Sequence, residues 1–162
     1  MLDEVDSQIL SLLQENARIS NAEIARQVGM APSAVLERIR KLEARGIVQG
    51  YEARLCPEAL GLRLLAFVLV RSDERVGDGS TGKLLAQIPE VEEAHHIAGE
   101  DCYLVKVRVA DAHSLSLLLR EKLGAIPAVR STRSTIVLDT LKETTRVPLA
   151  SLPGPSEESS HD

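Results

Sequence analysis

Four basic side chains, Arg38, Arg40, Lys41 and Arg45, crowd into residues 33–45 against two acids, Glu37 and Glu43. A guanidinium pairs two donors with a phosphate or a guanine edge, and an ammonium acts as a point charge on the backbone, so this stretch has the chemistry of a nucleic-acid contact. A solvated helix face is the plainer alternative. His95 and His96 raise metal or acid–base chemistry, yet successive strand residues point to opposite faces and do not converge on one ion. They read as surface or interface histidines. Cys56 and Cys102 stand 46 residues apart with no Cys-x-x-Cys pair, which argues against a disulfide framework and against structural zinc. Cys102 has no evident basic neighbour to activate its thiol. No metal ligand and no catalytic residue is expected.

Three short helices must position the basic stretch. Val5, Ile9, Leu12 and Leu13 recur at helical spacing across Glu4 to Glu15, marking an amphipathic first helix. Ser20 followed by Glu23 reads as a capping box, each side chain satisfying the other's backbone N–H. Ile24, Ala25 and Val28 then face inward, and Gly29 supplies a left-handed end. Only Met30 and Ala31 precede Pro32 and Ser33, which open a third helix with proline in its first turn. Val35, Ile39 and Leu42 form its buried stripe and Gly46 stops it. Two helices joined by a tight glycine turn and backed by a first make a helix-turn-helix. Small Ser33 and Ala34 let the third helix approach base edges and phosphates.

The 162 residues hold 19 Lys and Arg against 24 Asp and Glu, a net charge of −5, and 44% are apolar. That supports one large or two small domains and excludes a polybasic tail or a disordered acidic solvator. Any positive surface must be local, as residues 33–45 make it. Phe67, Tyr51 and Tyr103 are the only aromatics, too few to grip single strands or RNA by stacking. The opening MLDEVDSQIL lacks the basic and apolar blocks of a signal peptide. The longest apolar run, Leu64 to Val70, is far shorter than the roughly 20 residues that span a bilayer. A cytoplasmic protein is expected.

Beyond Gly46, residues 47–48 and 50–54 read as a short strand, and Pro57 to Gly61 as a helical turn or loop. Leu64 to Arg71, apolar almost throughout, reads as a strand covered on both faces. Leu84, Leu85 and Ile88 mark a helix stopped by Pro89, and Val91 to Ala98 a second strand. Gly99-Glu100-Asp101 is turn chemistry. Cys102 to Val109 then alternates, with Tyr103, Val105, Val107 and Val109 one way and Lys106 and Arg108 the other. Asp111 caps a helix that faces Leu115, Leu118, Leu119 and Leu123 inward and ends at Gly124, and Val129 to Leu141 is the last strand. This order is ferredoxin-like, with both helices on one side of a four-stranded antiparallel sheet. The other side needs cover. A second sheet packed face to face provides it, making a dimer, or else the chain's own first domain does. Residues 147–162, rich in proline and serine, are expected to be a disordered tail.

LDEVDSQILSLLQENARIS, APSAVLERIRKLEARGIVQGY, AGEDCYLVKVRV and TRSTIVLDTLKETTRVPL, in that order, resemble the Lrp/AsnC (feast/famine) transcription regulators over nearly all of residues 2–148. The resemblance implies an α+β protein. A winged/helix-turn-helix three-helix domain would occupy 1–50 and a linker strand or hinge 51–63. A ferredoxin-like βαββαβ (RAM) effector and oligomerisation domain would occupy 64–146, before the tail at 147–162. It implies a sequence-specific regulator rather than an enzyme, bound to double-stranded DNA in the cytoplasm at the nucleoid. Such a chain forms homodimers that assemble into octamers or larger rings, and it answers to an amino acid or related metabolite without any cofactor.

Residue by residue, Ser33, Ala34, Glu37, Arg38, Arg40 and Lys41 fall where the family's recognition helix faces DNA. Glu37 either accepts from a cytosine amino group or orients Arg38 or Arg40. The family's effector loop, Gly-acid-aromatic-Asp-aromatic, corresponds to Gly99, Glu100, Asp101, Cys102 and Tyr103. Here Cys102 holds the usual Asp position and an acid stands one residue earlier. Thr132 and Ser134 lie on one face of the last strand, where the family lines the same cleft, or are simply polar groups of an exposed strand. Siroheme decarboxylases have a similar scaffold and supply an enzyme alternative. They carry a His-Tyr-x-Arg-like cluster where this chain has His95-His96-Ile97-Ala98 and no following Arg, and they do not need a basic recognition helix.

Overall fold

The structure, a computed structural model, describes residues 2–75 and 77–149. Two compact units emerge. One runs to Arg54 and takes back the chain from Glu143; the other is Leu55–Lys142.

In the first unit α1 spans Glu4–Glu15, α2 Asn21–Val28 and α3 Pro32–Ala44. Their apolar stripes meet at Ile9, Ile24, Val35 and Leu42, each at most 1% exposed. Ser20 caps α2 by accepting from the Glu23 N–H at 3.1 Å. The Glu23 carboxylate does not return the bond; it accepts from Arg26 and Gln27 instead. The reciprocal box is at α1, where Asp3 Oδ1 accepts from the Asp6 N–H at 2.7 Å and Asp6 Oδ2 from the Asp3 N–H at 3.3 Å. Gly29 ends α2 at φ 69°, a backbone state that costs glycine little, and lets α3 begin within three residues. Pro32 at the start of α3 has no N–H to leave unsatisfied.

Two expectations are corrected here. Residues 47–54 form no strand, since a lone short strand has no ladder to join in this unit; Tyr51 instead donates to Glu43 at 2.9 Å. The described start of the expected tail, residues 147–149, is ordered against the helices. The Gln14 side chain donates to the Val147 carbonyl at 3.1 Å and accepts from its N–H at 2.7 Å, and Leu149 packs on the helical core. Residues 150–162 lie outside the described residues.

The second unit opens with a 3-10 turn, Glu58–Leu60. Strand β1 is Leu64–Ser72, β2 Val91–His96, β3 Tyr103–Val109 and β4 Val129–Ile136, in the antiparallel order β2-β3-β1-β4. Helix α4 is Ser80–Ala86, and α5, Ala112–Leu117, continues as a π-helical turn over Leu118–Leu123. That wide turn closes with the Gly124 N–H donating to the Leu119 carbonyl at 2.8 Å. A Cβ at Gly124 would sit 2.6 Å from the Arg120 carbonyl oxygen, so a side chain is excluded there. Ala66, Val68 and Val70 of β1 join Val105 and Val107 of β3 beneath Leu85, Leu115 and Leu123 of the helices.

Alternation sets the opposite sheet face, which carries Leu65, Phe67, Leu69, Leu104, Lys106 and Arg108. The last strand stops at Ile136 rather than Leu141, because its pairing with β1 ends at Ala66. Leu138 and Leu141 are accordingly almost fully exposed.

Candidate functional site

On α3, Ser33, Glu37, Arg40, Lys41 and Arg45 are exposed, while Ala34 and Arg38 are half-buried. The buried Val35, Ile39 and Leu42 fix which side faces out. A cavity of about 340 Å³ opens beside this face, lined among others by Asp6, Met30, Ala34, Lys41 and Arg45. Lys41 Nζ lies 3.7 Å from Glu37 Oε1, a loose pair one turn apart that leaves the ammonium largely in solvent. Arg38 is engaged differently. Its Nη1 donates at 2.7 Å both to Asp3 Oδ2 and to Asp6 Oδ1, the carboxylates that cap α1. The Asp6 N–H first, and the Arg38 guanidinium second, hold the Asp3 carboxyl below the usual carboxylate range. Sequence reading missed this tie; Asp-x-x-Asp ahead of an apolar stripe was its available signal.

The effector-loop residues separate. Gly99 and Glu100 are exposed in the β2–β3 turn. The Cys102 N–H donates to the Val70 carbonyl at 3.0 Å and its thiol to the Ser72 carbonyl at 3.5 Å, which binds the turn to β1. Asp101 accepts from Arg133 Nη2 at 2.7 Å. Because Arg133 pairs with Leu69, that guanidinium belongs to the sheet face away from the helices. Thr132 and Ser134 pair with Val70 and Val68 and so belong to the helix side, where the edge position of β4 leaves them exposed.

Tyr103 is 3% exposed and points into the core, its hydroxyl donating to Glu74 Oε1. Glu74 Oε2 also accepts from the Thr81 N–H at 2.9 Å and the Ser80 hydroxyl at 3.2 Å. Burial raises the Glu74 carboxyl, but these bonds outweigh it and hold the group down at about 2. Burial, with the Glu74 carboxylate second, pushes the Tyr103 phenol up to about 12. The two histidines diverge as strand geometry requires. His95 meets Glu93 at 3.1 Å, and the His96 ring packs 5.1 Å from the Tyr103 ring.

A β-bulge between Val91 and Glu93 breaks the alternation of β2. Both Glu92 and Glu93 thereby reach the β3 cations. Arg108 donates to Glu92 at 2.7 Å, and Lys106 lies 3.3 Å from Glu92 and 3.4 Å from Glu93. With about 10% of each cationic side chain exposed, such pairing is what makes burial of the charges tolerable. A period-two reading of β2 gave no sign of it.

Comparison with known proteins agrees with this architecture. Residues 2–43 match the AsnC-type helix-turn-helix domain, and residues 65–147 match the Lrp/AsnC ligand binding domain. The chain is 37% identical to the leucine-responsive regulatory protein of Escherichia coli K12 over 148 residues, 90% of each. It is similar in structure to a transcriptional regulator of Neisseria meningitidis solved as an L-Met complex, with a TM-score of 0.85 and 34% identity over 92% of this chain and 97% of that one. The feast or famine regulatory protein of M. tuberculosis, complexed with L-methionine, superposes with a TM-score of 0.83 and 39% identity over 91% of this chain and 99% of that one. These relatives are transcription regulators rather than enzymes. A helix-turn-helix with an exposed cationic face, joined in one chain to a ferredoxin-like unit and matched at both halves, places this protein in the Lrp/AsnC family of DNA-binding transcription regulators.

Proposed function

We propose that α3 enters the major groove of duplex DNA, with Ser33 and Ala34 at its leading end and Arg40 and Lys41 on the flanking phosphates. Glu37 orients a neighbouring cation or accepts from a cytosine amino group. The carrying observation is the outward set of Arg40, Lys41 and Arg45 on a chain whose net charge is −5: the positive surface is concentrated where a recognition helix needs it.

The open sheet face supports pairing of two copies. Phe67 and Leu69 are apolar and only half-buried on it, flanked by Leu65 and Leu104, a patch that a partner sheet of the same kind would cover. Dimers of this sort would assemble further, to octamers or larger, on DNA in the cytoplasm. Two recognition helices of a dimer would protect DNA at intervals of about 10 base pairs.

The effector is an amino acid or a close relative, taken at the β2–β3 turn. Gly99, Glu100, Asp101 and Cys102 form that turn and Tyr103 anchors it, with Arg133 beside Asp101, while the Thr132 and Ser134 hydroxyls lie on the helix side of β4 and would reach only a ligand that wraps the sheet edge. Two relatives of this chain were solved with L-methionine, which makes that amino acid the first probe. The test is binding to a duplex enriched by the protein from a randomised pool, with and without millimolar L-methionine or L-aspartate. A shift in the binding midpoint with either amino acid supports this reading; a midpoint that neither alters removes the effector role.

A further inference from the structure

We propose that Arg38 is a positioning residue for DNA recognition and not a phosphate contact. Each oxygen of the two carboxylates around it has a separate task. Asp3 Oδ1 and Asp6 Oδ2 accept the backbone N–H groups that cap α1, while Asp3 Oδ2 and Asp6 Oδ1 both accept from Arg38 Nη1 at 2.7 Å. The N-terminal end of α1 is therefore bonded to the middle of α3. Side-chain exposure is 11% at Asp6, 30% at Arg38 and 52% at Asp3, so the Arg38–Asp6 half of the tie is the one shielded from solvent and the Asp3 half adds a second, more exposed anchor.

The tie acts on rotation. Apolar packing of Val35, Ile39 and Leu42 is non-directional, whereas a guanidinium shared between two fixed carboxylates admits a narrow range of α3 settings. That setting decides whether Ser33, Ala34, Arg40 and Lys41 meet the groove together. Electrostatics argue the same way. Arg38 with Asp3 and Asp6 is a net negative group, so Arg38 releases few counterions from DNA.

The inference rests on α3 being the DNA-facing helix, and the experiment separates the two. Binding of the full chain to a selected duplex and to a scrambled one is measured across a range of salt. The proteins are wild type, Lys41→Gln, Arg38→Gln and the double variant Asp3→Asn/Asp6→Asn; asparagine keeps the capping ability of both positions. Lys41→Gln reports on the helix assignment, its salt slope becoming shallower by about 0.9.

Arg38→Gln is expected to keep the wild-type slope. It should lose affinity for the selected duplex by about tenfold, as other preorganised sites do on losing an outer support, with little change on the scrambled duplex. The double variant makes the protein two charges more positive, yet should also bind the selected duplex more weakly. A slope for Arg38→Gln that is shallower by about 0.9, as a phosphate contact requires, overturns the inference. So does a double variant that binds both duplexes more tightly and equally. Thermal melting establishes that each variant is folded at the binding temperature; should Arg38→Gln fail there, the double variant decides alone.

Discussion

The Tyr103 hydroxyl on β3 donates to the Glu74 carboxylate in the loop entering α4. This bond links the strand that follows the β2–β3 turn to the loop that follows β1. The same carboxylate accepts from Ser80 and Thr81, so one side chain gathers a strand, a loop and the first turn of α4.

Stability should therefore carry two pH limbs. Glu74 falls from an ordinary 4.5 to about 2 on folding, so its contribution is complete above about pH 4.5 and is lost as pH drops toward 2. Tyr103 rises from 10 to about 12, so its contribution is complete below about pH 10 and is lost as pH climbs toward 12. Urea midpoints against pH should show a flatter acid limb in Glu74→Gln and a flatter alkaline limb in Tyr103→Phe. Limbs identical to wild type would show that the bond does not contribute.

Gly82→Ala should destabilise the protein, although helix propensity alone favours alanine by about 1 kcal/mol. A Cβ there meets Tyr103 Cε1 at 2.7 Å, and that ring is buried and hydrogen-bonded. Overpacking of this kind costs about 1–3 kcal/mol, read as a lower melting temperature; a rise would mean that the ring moves freely.

Leu69→Asp should abolish the proposed pairing of two copies through this face. Leu69 lies on the open sheet face between Leu104 and Arg133, and a carboxylate buried between two sheets is costly without a partner. Sedimentation velocity should shift from an assembly to a single chain while melting of the monomer is retained.

Truncation after Lys142 should lower the melting temperature of the helical unit. It removes both Gln14–Val147 hydrogen bonds and the Leu149 contact, hydrogen bonds being worth about 0.5–1.5 kcal/mol each. An unaltered melt would make 143–149 a passive strap.

Local signals made much of the fold legible. The ends of α1, α2 and α3 followed from apolar spacing, Ser20, Gly29 and Pro32, because caps and periodicity are written within a few residues. Non-local partners were not. Glu23 turned to Arg26 rather than to its cap, the bulge sent Glu92 to Arg108, and β4 stopped where β1 stopped pairing. At the site, the outward side of α3 was visible in its stripe, while the Asp3–Arg38–Asp6 tie joins residues 35 and 32 positions apart and required the folded chain. The separation of Asp101 from Thr132 and Ser134 likewise depends on the register of β4, which no single strand encodes.

The most direct measurement is the salt dependence of duplex binding by wild type and by Arg40→Gln/Lys41→Gln. The logarithm of the wild-type association constant should fall linearly with the logarithm of salt. The double variant should show a slope shallower by about 1.8, since two phosphates then keep their counterions. Equal slopes, or no binding to any duplex at low ionic strength, would contradict the assignment of α3 to DNA.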